Sequence, residues 1–132
     1  MNTRIKYHWQ LDVYKLSVEA AMEIFEASRK FPREEMYSLT DQIRRSSRSV
    51  AANIAEGYRK RRYQAMFVSR IADADAEATE TQVWLDFARD CGYLAGHRRD
   101  QLVTAYEEVG RMLGGMMAMP EKFRETVRDR KK

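Results

Sequence analysis

The sequence lacks the residues that staple small secreted scaffolds or anchor proteins in membranes. Cys91 is the only cysteine in 132 residues, so no disulfide can form within the chain and a disulfide-stapled scaffold is excluded. A reducing cytoplasm is the expected setting. No uninterrupted run of about 18 apolar residues occurs, and the first residues contain no apolar signal segment. We therefore expect a soluble protein with no membrane partner.

Proline is equally scarce, and its positions predict helix boundaries. Pro32 and Pro120 are the only prolines, and both lie where a helix is expected to begin or end. No alternating β-branched run bounded by turns occurs, so a sheet has no support. The length fits one domain. We predict a single all-α domain over residues 1–132, with a short charged tail from about residue 120.

The signatures of common catalytic and cofactor sites are also missing. The sequence contains no phosphate-binding loop, no dinucleotide-binding glycine turn and no nucleophile elbow. Di-iron bundles need Glu-x-x-His pairs, but Ile5 and Leu94 stand three residues before His8 and His97. One cysteine and two scattered histidines are too few for a closed zinc site. We predict no enzymatic activity, no metal and no cofactor.

Two groups of polar residues keep a catalytic alternative open. Three serines between residues 46 and 49 could meet a histidine in space, and three carboxylates between residues 73 and 80 share one helical face. Serines beside alanines inside a helix more often serve close packing, and acidic helical faces more often form salt bridges. We interpret both groups as structural.

Apolar residues recur at steps of three and four along four segments, which is the period of helices with one buried face. The segments run from about residue 11 to 29, from 39 to 57, from 63 to 90, and through Leu102 to just before Pro120. Gly57 is predicted to stop the second helix, and Gly92 to close the third in the left-handed conformation. Short connections make successive helices antiparallel, so we predict an up-down-up-down four-helix bundle.

Positive charge is concentrated in one stretch of the chain. From Asp41 to Arg62 seven basic residues stand against two acidic ones, a local charge of +5 on a chain of net charge +4. Residues 63–119 carry five basic residues against nine acidic ones. Such blocks predict either an anionic ligand for the basic one or pairing between the two, within the protein or between its copies.

An anionic ligand is favoured by the angular positions of the basic residues. If the second helix continues past Gly57, its arginines at 44, 48, 59 and 62 fall within about 60° of one another at 100° per residue. Tyr58 and Tyr63 would then lie near enough to stack on exposed bases. The candidate nucleic-acid-binding residues are Arg44, Arg48, Arg59, Lys60, Arg61 and Arg62.

Pairing between helices is the alternative use of the same charges. Arg44 or Arg45 can pair with Glu77 or Glu80 of the third helix, within one chain or between copies. The candidates for structural or interface pairing are Arg45, Asn53, Glu56, Glu77 and Glu80. The four adjacent cations at 59–62 favour a ligand or a solvated loop, because neighbours of one sign at a helix junction are poorly placed for mutual pairing.

Several motifs span most of the chain. They are FP-x-E-E-x-Y at 31–37, L-T-x-Q-I-R-R at 39–45, S-V-A-A-N-I-A-E-G at 49–57, A-E-x-x-E-T-Q at 76–82, C-G-Y-L at 91–94 and E-V-G-R-M-L at 108–113. They closely resemble the four-helix-bundle family first noted as reading frames within intervening sequences of bacterial large-subunit ribosomal RNA genes. The resemblance covers about residues 10–117. It implies a bundle that assembles into ring-shaped homopentamers.

A related branch comprises the accessory variability determinant proteins of diversity-generating retroelements. The segment E-V-G-R-M-L-G-G at 108–115 resembles that branch, whereas the central motifs are more similar to the ribosomal type. The branch implies basic pentamers that bind nucleic acid and associate with a reverse transcriptase. The family often has a serine or threonine capping the third helix, but Arg61, Arg62 and Tyr63 stand there instead, so this cap is in doubt.

The sequence thus predicts a non-enzymatic homo-oligomer, expected to be a pentamer, that binds nucleic acid through a basic surface in support of an RNA or reverse-transcription process. Its predicted partners are other copies of itself, RNA or DNA, and a reverse transcriptase. The rival hypothesis is a ring-forming module for protein–protein interaction, with the arginines used in subunit pairing.

Overall fold

The computed structural model describes residues 5–123, and its regular structure over this range is entirely helical. The four long helices are α1 (Asp12–Ser28), α2 (Leu39–Arg59), α3 (Gln64–Asp90) and α4 (Gly96–Ala118). Single 3-10 turns lie at His8–Gln10, Arg33–Glu35 and Pro120–Lys122. The all-α prediction is confirmed. Most of the predicted charged tail, from residue 124 onward, lies outside the described residues.

The helices pack as a square in which each long helix contacts two others, and the described residues show no contact between α1 and α3 or between α2 and α4. α2 packs against α1 and α3, and α4 closes the square by packing against α3 and α1. The largest side chains that are completely buried come from all four helices and include Ile24, Ile43, Ile54, Phe67, Ile71, Leu85, Leu102, Tyr106 and Leu113. This arrangement is the predicted up-down-up-down four-helix bundle, because the connections between consecutive helices are short.

The prediction that Gly57 stops α2 is wrong. The helix continues to Arg59, and Gly57 is a buried helical residue. A Cβ built at this position would lie 3.0 Å from Ile71 Cδ1 and 3.1 Å from Arg70 Cβ. Gly57 therefore serves the close approach of α2 to α3, which is a requirement that helix-stop rules based on sequence do not include.

The end of α3 follows the predicted glycine rule. Gly92 has a φ of +81°, the one positive φ among the described residues. Its N–H donates to the carbonyl of Arg89, and the N–H of Tyr93 donates to the carbonyl of Ala88, both at 2.9 Å. These two bonds form a Schellman motif, which satisfies carbonyls that the end of a helix leaves without partners. The chain then turns directly into α4.

Glu35 links the start of α2 to the connection between α3 and α4. Its carboxylate accepts hydrogen bonds from Ser38 Oγ at 2.6 Å, Tyr93 Oη at 2.9 Å and the Leu39 N–H at 3.3 Å. The bonds from Ser38, Tyr93 and Leu39 hold the pKa of Glu35 below its ordinary value. The same carboxylate raises the pKa of Tyr93 to about 12. Two motifs far apart in sequence, around residues 35 and 93, thus meet at one end of the bundle.

Substituting the two glycines Gly57 and Gly114 should separate close packing from helix propensity. Gly57→Leu places a side chain into the α2–α3 contact, and overpacking of this kind costs about 1–3 kcal/mol. Gly114→Leu is the control, because a Cβ there meets nothing within 4 Å and leucine is the better helix former. Urea unfolding followed by circular dichroism should show a loss only for Gly57→Leu. Equal stability of the two variants would contradict the close-packing role.

The carboxylate of Glu35 should make the free energy of unfolding decrease as the pH falls. Because its pKa is lower in the folded than in the unfolded state, ionised Glu35 stabilises the fold above its ordinary pKa. This stabilisation is lost as the pH falls through the folded-state value. In Glu35→Gln the free energy of unfolding should therefore fall less steeply between about pH 5 and pH 3. Glu34→Gln, next to it, is the matched control, and a Glu35→Gln slope equal to that of the wild type would refute the assignment.

Candidate nucleic-acid interface

The basic residues of α2 divide into three groups, and the first is Arg45, which pairs with the acidic face of α3. Its guanidinium contacts Glu77 Oε2 at 3.3 Å and also the carboxylate of Glu80. Trp84 Nε1 donates to the same Glu80 oxygen at 3.0 Å. The bond from Trp84, followed by the contact with Arg45, holds the pKa of Glu80 low against the opposing effect of burial. Arg45 thus lies where the pairing hypothesis placed it.

The second group is Arg44 and Arg48, which gather over one aromatic ring of α1. The guanidinium carbon of Arg44 lies 4.8 Å from the centroid of Phe25, and that of Arg48 lies 5.7 Å from it. Arg44 Nε also donates to Ser28 Oγ at 2.8 Å. Among residues 5–123, no carboxylate lies within ion-pair distance of either arginine. Their positive charge is therefore stabilised by the ring and not neutralised.

A cleft of about 520 Å³ lies on the outer face of α2 between these two groups. Small and polar side chains of α2 line it together with the arginines and Met36. The lining residues are Met36, Thr40, Asp41, Arg44, Arg45, Arg48, Ser49 and Ala52. The hydroxyl of Thr40 is buried and has no hydrogen-bond partner in the described part of the chain.

The third group occupies the last residue of α2 and the turn between α2 and α3. Arg59 and Lys60 are exposed, and neither side chain forms an ion pair or hydrogen bond with the described residues. Arg61 is half-buried, stacks 4.2 Å from the centroid of Tyr58 and donates to the Tyr58 carbonyl at 3.0 Å. Arg62 is exposed. The free positive charge of the turn therefore includes at least that of Arg59 and Lys60.

The predicted stripe of four arginines is only partly formed. α2 does continue past Gly57, but it ends at Arg59, and Lys60 at the C-cap has left helical geometry with φ −94° and ψ 11°. Helical periodicity therefore positions Arg44, Arg48 and Arg59 but not Arg62, which lies in the turn.

One of the two tyrosines predicted to stack on bases is unsuitable for it. Tyr58 is 4% exposed, its hydroxyl donates to the carbonyl of Ile5, and its ring is covered by Arg61. Tyr63 is 54% exposed. It is the N-cap of α3 and provides no side-chain cap, so the first amide N–H groups of α3 are left without intrahelical partners beside the basic turn. The missing serine or threonine cap noted in the sequence therefore leaves α3 without a side-chain cap in the structure.

Asn53 and Glu56, the remaining pairing candidates of α2, make local contacts. Asn53 Nδ2 donates to the Ser49 carbonyl at 3.0 Å. Glu56 lies 3.7 Å from the guanidinium of Arg70, which also approaches Asp73 at 3.7 Å. The Asn53 bond lies within α2, whereas the pair between Glu56 and Arg70 joins α2 to α3.

Two of the three serines that kept the catalytic alternative open, Ser46 and Ser47, are used in packing. Ser46 is completely buried, and its hydroxyl oxygen lies 2.8 Å from that of Thr81, which in turn bonds to the Glu77 carbonyl. Ser47 is buried and bonds to the Arg44 carbonyl. His97 is exposed at the start of α4, a helix that makes no contact with α2 among the described residues.

The outer face of α3 carries a second apolar stripe, which the sequence analysis missed. Exposed residues recur there at steps of three and four, mostly with small or apolar side chains. They are Ala65, Ser69, Ala72, Ala76, Thr79, Val83 and Phe87. Val83 and Phe87 are 43% and 54% exposed, and Phe87 borders an apolar cleft of about 390 Å³ with Leu39, Trp84 and Cys91. The sequence could have indicated this stripe, because small and apolar residues recur at helical spacing on a second face of α3.

Phe25, Ser28 and Thr40 were also missed as parts of the basic surface. Phe25 lies beside Ile24, a core position, and the periodicity of α1 indicates only that it is near the buried face. The contact between its ring and the arginines of α2 depends on how two helices cross, which the sequence does not state.

In the described range, no helix is long and apolar enough to cross a membrane.

Comparison with known proteins identifies a family. A family model described as 23S rRNA-intervening sequence protein matches residues 9–115. A crystal structure from Bacteroides thetaiotaomicron, described as a protein of unknown function from the S23 ribosomal protein family, is similar at a TM-score of 0.73 and 25% sequence identity. The match covers 80% of this chain and 97% of that one. No curated protein matches the chain.

Proposed function

The chain belongs to the 23S rRNA-intervening sequence protein family, and from this premise we propose that it is a non-enzymatic homo-oligomer that binds nucleic acid through the basic face of α2 and the turn after it. The observation that carries the proposal is the uneven use of the arginines. Arg45 is paired with carboxylates, whereas Arg44, Arg48 and Arg59 have none among the described residues.

Unpaired surface cations favour a polyanionic ligand. Lys and Arg side chains that contact phosphates release condensed counterions, and this release supplies most of the affinity of sequence-independent binding. The open N-terminus of α3 adds amide N–H donors and the positive end of a helix dipole beside Arg59 and Lys60. The proposed contacts are made to phosphates, which carry no base identity. The proposed binding is therefore tolerant of sequence.

Assembly would multiply these contacts. A homo-oligomer, a pentamer in the form that the resemblance implies, presents the same basic face once per subunit. Contacts that are weak individually then give useful affinity, because each later contact forms at a high effective concentration. The relation to retroelement accessory proteins, and with it a reverse transcriptase as partner, stays a prediction of the sequence.

The outer face of α3 favours the assembly itself. Exposed residues at alternating steps of three and four match the spacing with which one helix packs along another, and small side chains allow a close approach. Val83 and Phe87 expose apolar surface that a subunit contact would bury. The same face supports the rival function, a ring that presents protein-binding surfaces and makes no use of nucleic acid.

Removing the free charges of the turn should weaken nucleic-acid binding. The double variant Arg59→Ala with Lys60→Ala alters no described side-chain contact, so the fold should be retained. Each phosphate contact contributes about 0.9 to the slope of log affinity against log salt for duplex DNA, and the slope should fall by about 2. Titrations of labelled duplex DNA and structured RNA at several salt concentrations measure this slope.

The matched control removes two cations from other helices, Lys15 of α1 and Arg111 of α4, with the same change in net charge. An equal loss in both double variants would mean that only net charge matters. Absence of binding by the wild type at low salt would overturn the proposed function in favour of the rival.

Charging the outer face of α3 should dissociate the oligomer. Val83→Glu with Phe87→Glu places two carboxylates where the proposed contact is apolar, and both positions are exposed in the single chain, so the subunit should still fold. Sedimentation velocity should show a shift from oligomer to monomer. Thr104→Glu on the exposed face of α4 is the control and should leave the mass unchanged. A wild-type protein that sediments as a monomer would contradict the proposal.

A further inference from the structure

We propose that the cleft on the outer face of α2 is a built phosphate site, in which Arg44 and Arg48 bind one phosphate group of a nucleic-acid strand. The identity of the strand rests on the proposed function, but the site is separate from the basic turn. Four features of the cleft carry the proposal.

The first is that the guanidinium of Arg44 is held in place before any ligand arrives. Its Nε donates to Ser28 Oγ, and its guanidinium carbon lies 4.8 Å from the centroid of the Phe25 ring. The Ser28 hydroxyl donates in turn to the Phe25 carbonyl at 2.9 Å, so the acceptor is itself oriented. The two terminal nitrogens of Arg44 remain as donors. A fixed guanidinium loses less entropy on binding an oxyanion than a mobile one.

The second feature is the crowding of positive charge around one ring. Arg48 lies 5.7 Å from the Phe25 centroid and Arg29 lies 5.9 Å from it. Arg29 has Glu26 as a partner at 3.4 Å, but Arg44 and Arg48 have no carboxylate among the described residues. Like charges gathered around one ring repel each other, and a bound anion would offset the repulsion.

The third feature is unused hydroxyl groups. Thr40 is 7% exposed, and its Oγ1 has no hydrogen-bond partner within residues 5–123. A buried hydroxyl without a partner is costly and calls for an explanation. Ser49 also lines the cleft, and its side chain forms no hydrogen bond with the described residues. A bound phosphate oxygen would provide an acceptor for the Ser49 hydroxyl, whereas Thr40 Oγ1 has almost no accessible surface and would reach the cleft only after a rotation of its side chain.

The fourth feature is size and spacing. A volume of about 520 Å³ is within the range of small-molecule sites and exceeds that of a phosphate alone. Arg59 lies eleven positions after Arg48, which is about 16 Å along a helix at 1.5 Å per residue. A strand with phosphates every 3.4 Å along the duplex axis covers this distance in about five nucleotides. One strand can therefore contact both the cleft and the turn.

Asp41 limits the affinity, because its carboxylate also lines the cleft and forms no ion pair with a described residue. Two substitutions in the cleft should therefore change phosphate affinity in opposite directions. Arg48→Ala should weaken phosphate binding about fivefold, which is the scale of one partly exposed charge pair, whereas Asp41→Asn should strengthen it.

The experiment is an NMR titration of the full-length, 15N-labelled protein with inorganic phosphate. We expect saturable shifts of the Arg44 and Arg48 Nε–H resonances. The phosphate affinity obtained from the Arg44 shifts should be weaker in Arg48→Ala and stronger in Asp41→Asn. It should be unchanged in Arg111→Ala and in the double variant Arg59→Ala with Lys60→Ala. Arg48 is exposed, and with the described residues its side chain forms no hydrogen bond or ion pair beside its contact with the Phe25 ring, so its loss should not unfold the protein. Unchanged affinity in Arg48→Ala, or no shift at these two arginines, would overturn the proposal.

Two further arms separate the sources of the anion. A short oligonucleotide should shift the same resonances, whereas a glutamate-rich peptide at equal charge should not. Shifts with the peptide alone would overturn the phosphate assignment and indicate a protein partner. If Arg59→Ala with Lys60→Ala abolishes nucleic-acid binding while the Arg44 and Arg48 resonances of the wild type never shift, the phosphate site in the cleft is refuted but the proposed function is not. Phosphate bound in the cleft of a protein that binds no nucleic acid would retain the site and refute its assignment to a strand.

Discussion

The close approach of α2 to α3 is the constraint on which the rest of the structure depends. It requires small residues on the inner face of α2, with Gly57 against Ile71 and the buried hydroxyls of Ser46 and Thr81 in contact. Together with the core residues Ile43, Val50 and Ile54, these small residues take up the buried face of α2 and leave the arginines to its other faces. The arginines of α2 therefore point away from the core, toward the flanks of α1 and α3 and toward solvent.

The position of each arginine on that surface decides its role. Arg45 lies on the flank toward α3 and meets Glu77 and Glu80, whereas Arg44, one residue earlier, lies on the flank toward α1 and meets Phe25. A rotation of 100° along one helix thus separates a neutralised cation from one that keeps its charge. The turn adds Arg59 and Lys60 beyond the last carboxylate of α2. The resulting face is basic because of geometry, not because of composition alone.

The parts of this arrangement that depend on local periodicity could be predicted, and those that depend on helix crossing could not. The four helices and the left-handed Gly92 follow from spacing and from the backbone freedom of glycine. Gly57 was misinterpreted because its local sequence resembles a helix stop, whereas its role is set by Ile71 on another helix. Tyr58 was taken for an exposed ring because basic neighbours suggested a surface, yet its ring and hydroxyl are used by Arg61 and the N-terminal segment. The ring of Phe25 is a site element only because α1 crosses α2 beside Arg44.

The ion pairs of Arg45 also mark a boundary between two proposed faces. Arg45 lines the cleft on α2, while Glu77 and Glu80 line a neighbouring acidic depression with Asn53, Arg70 and Asp73. Exposed pairs contribute only about 0–1 kcal/mol to stability, so their larger effect is on the local field. By pairing with these carboxylates, Arg45 lowers the negative potential that a phosphate strand on α2 would otherwise meet. A polyanion and a packed subunit can then use adjacent faces of one small bundle without opposing each other.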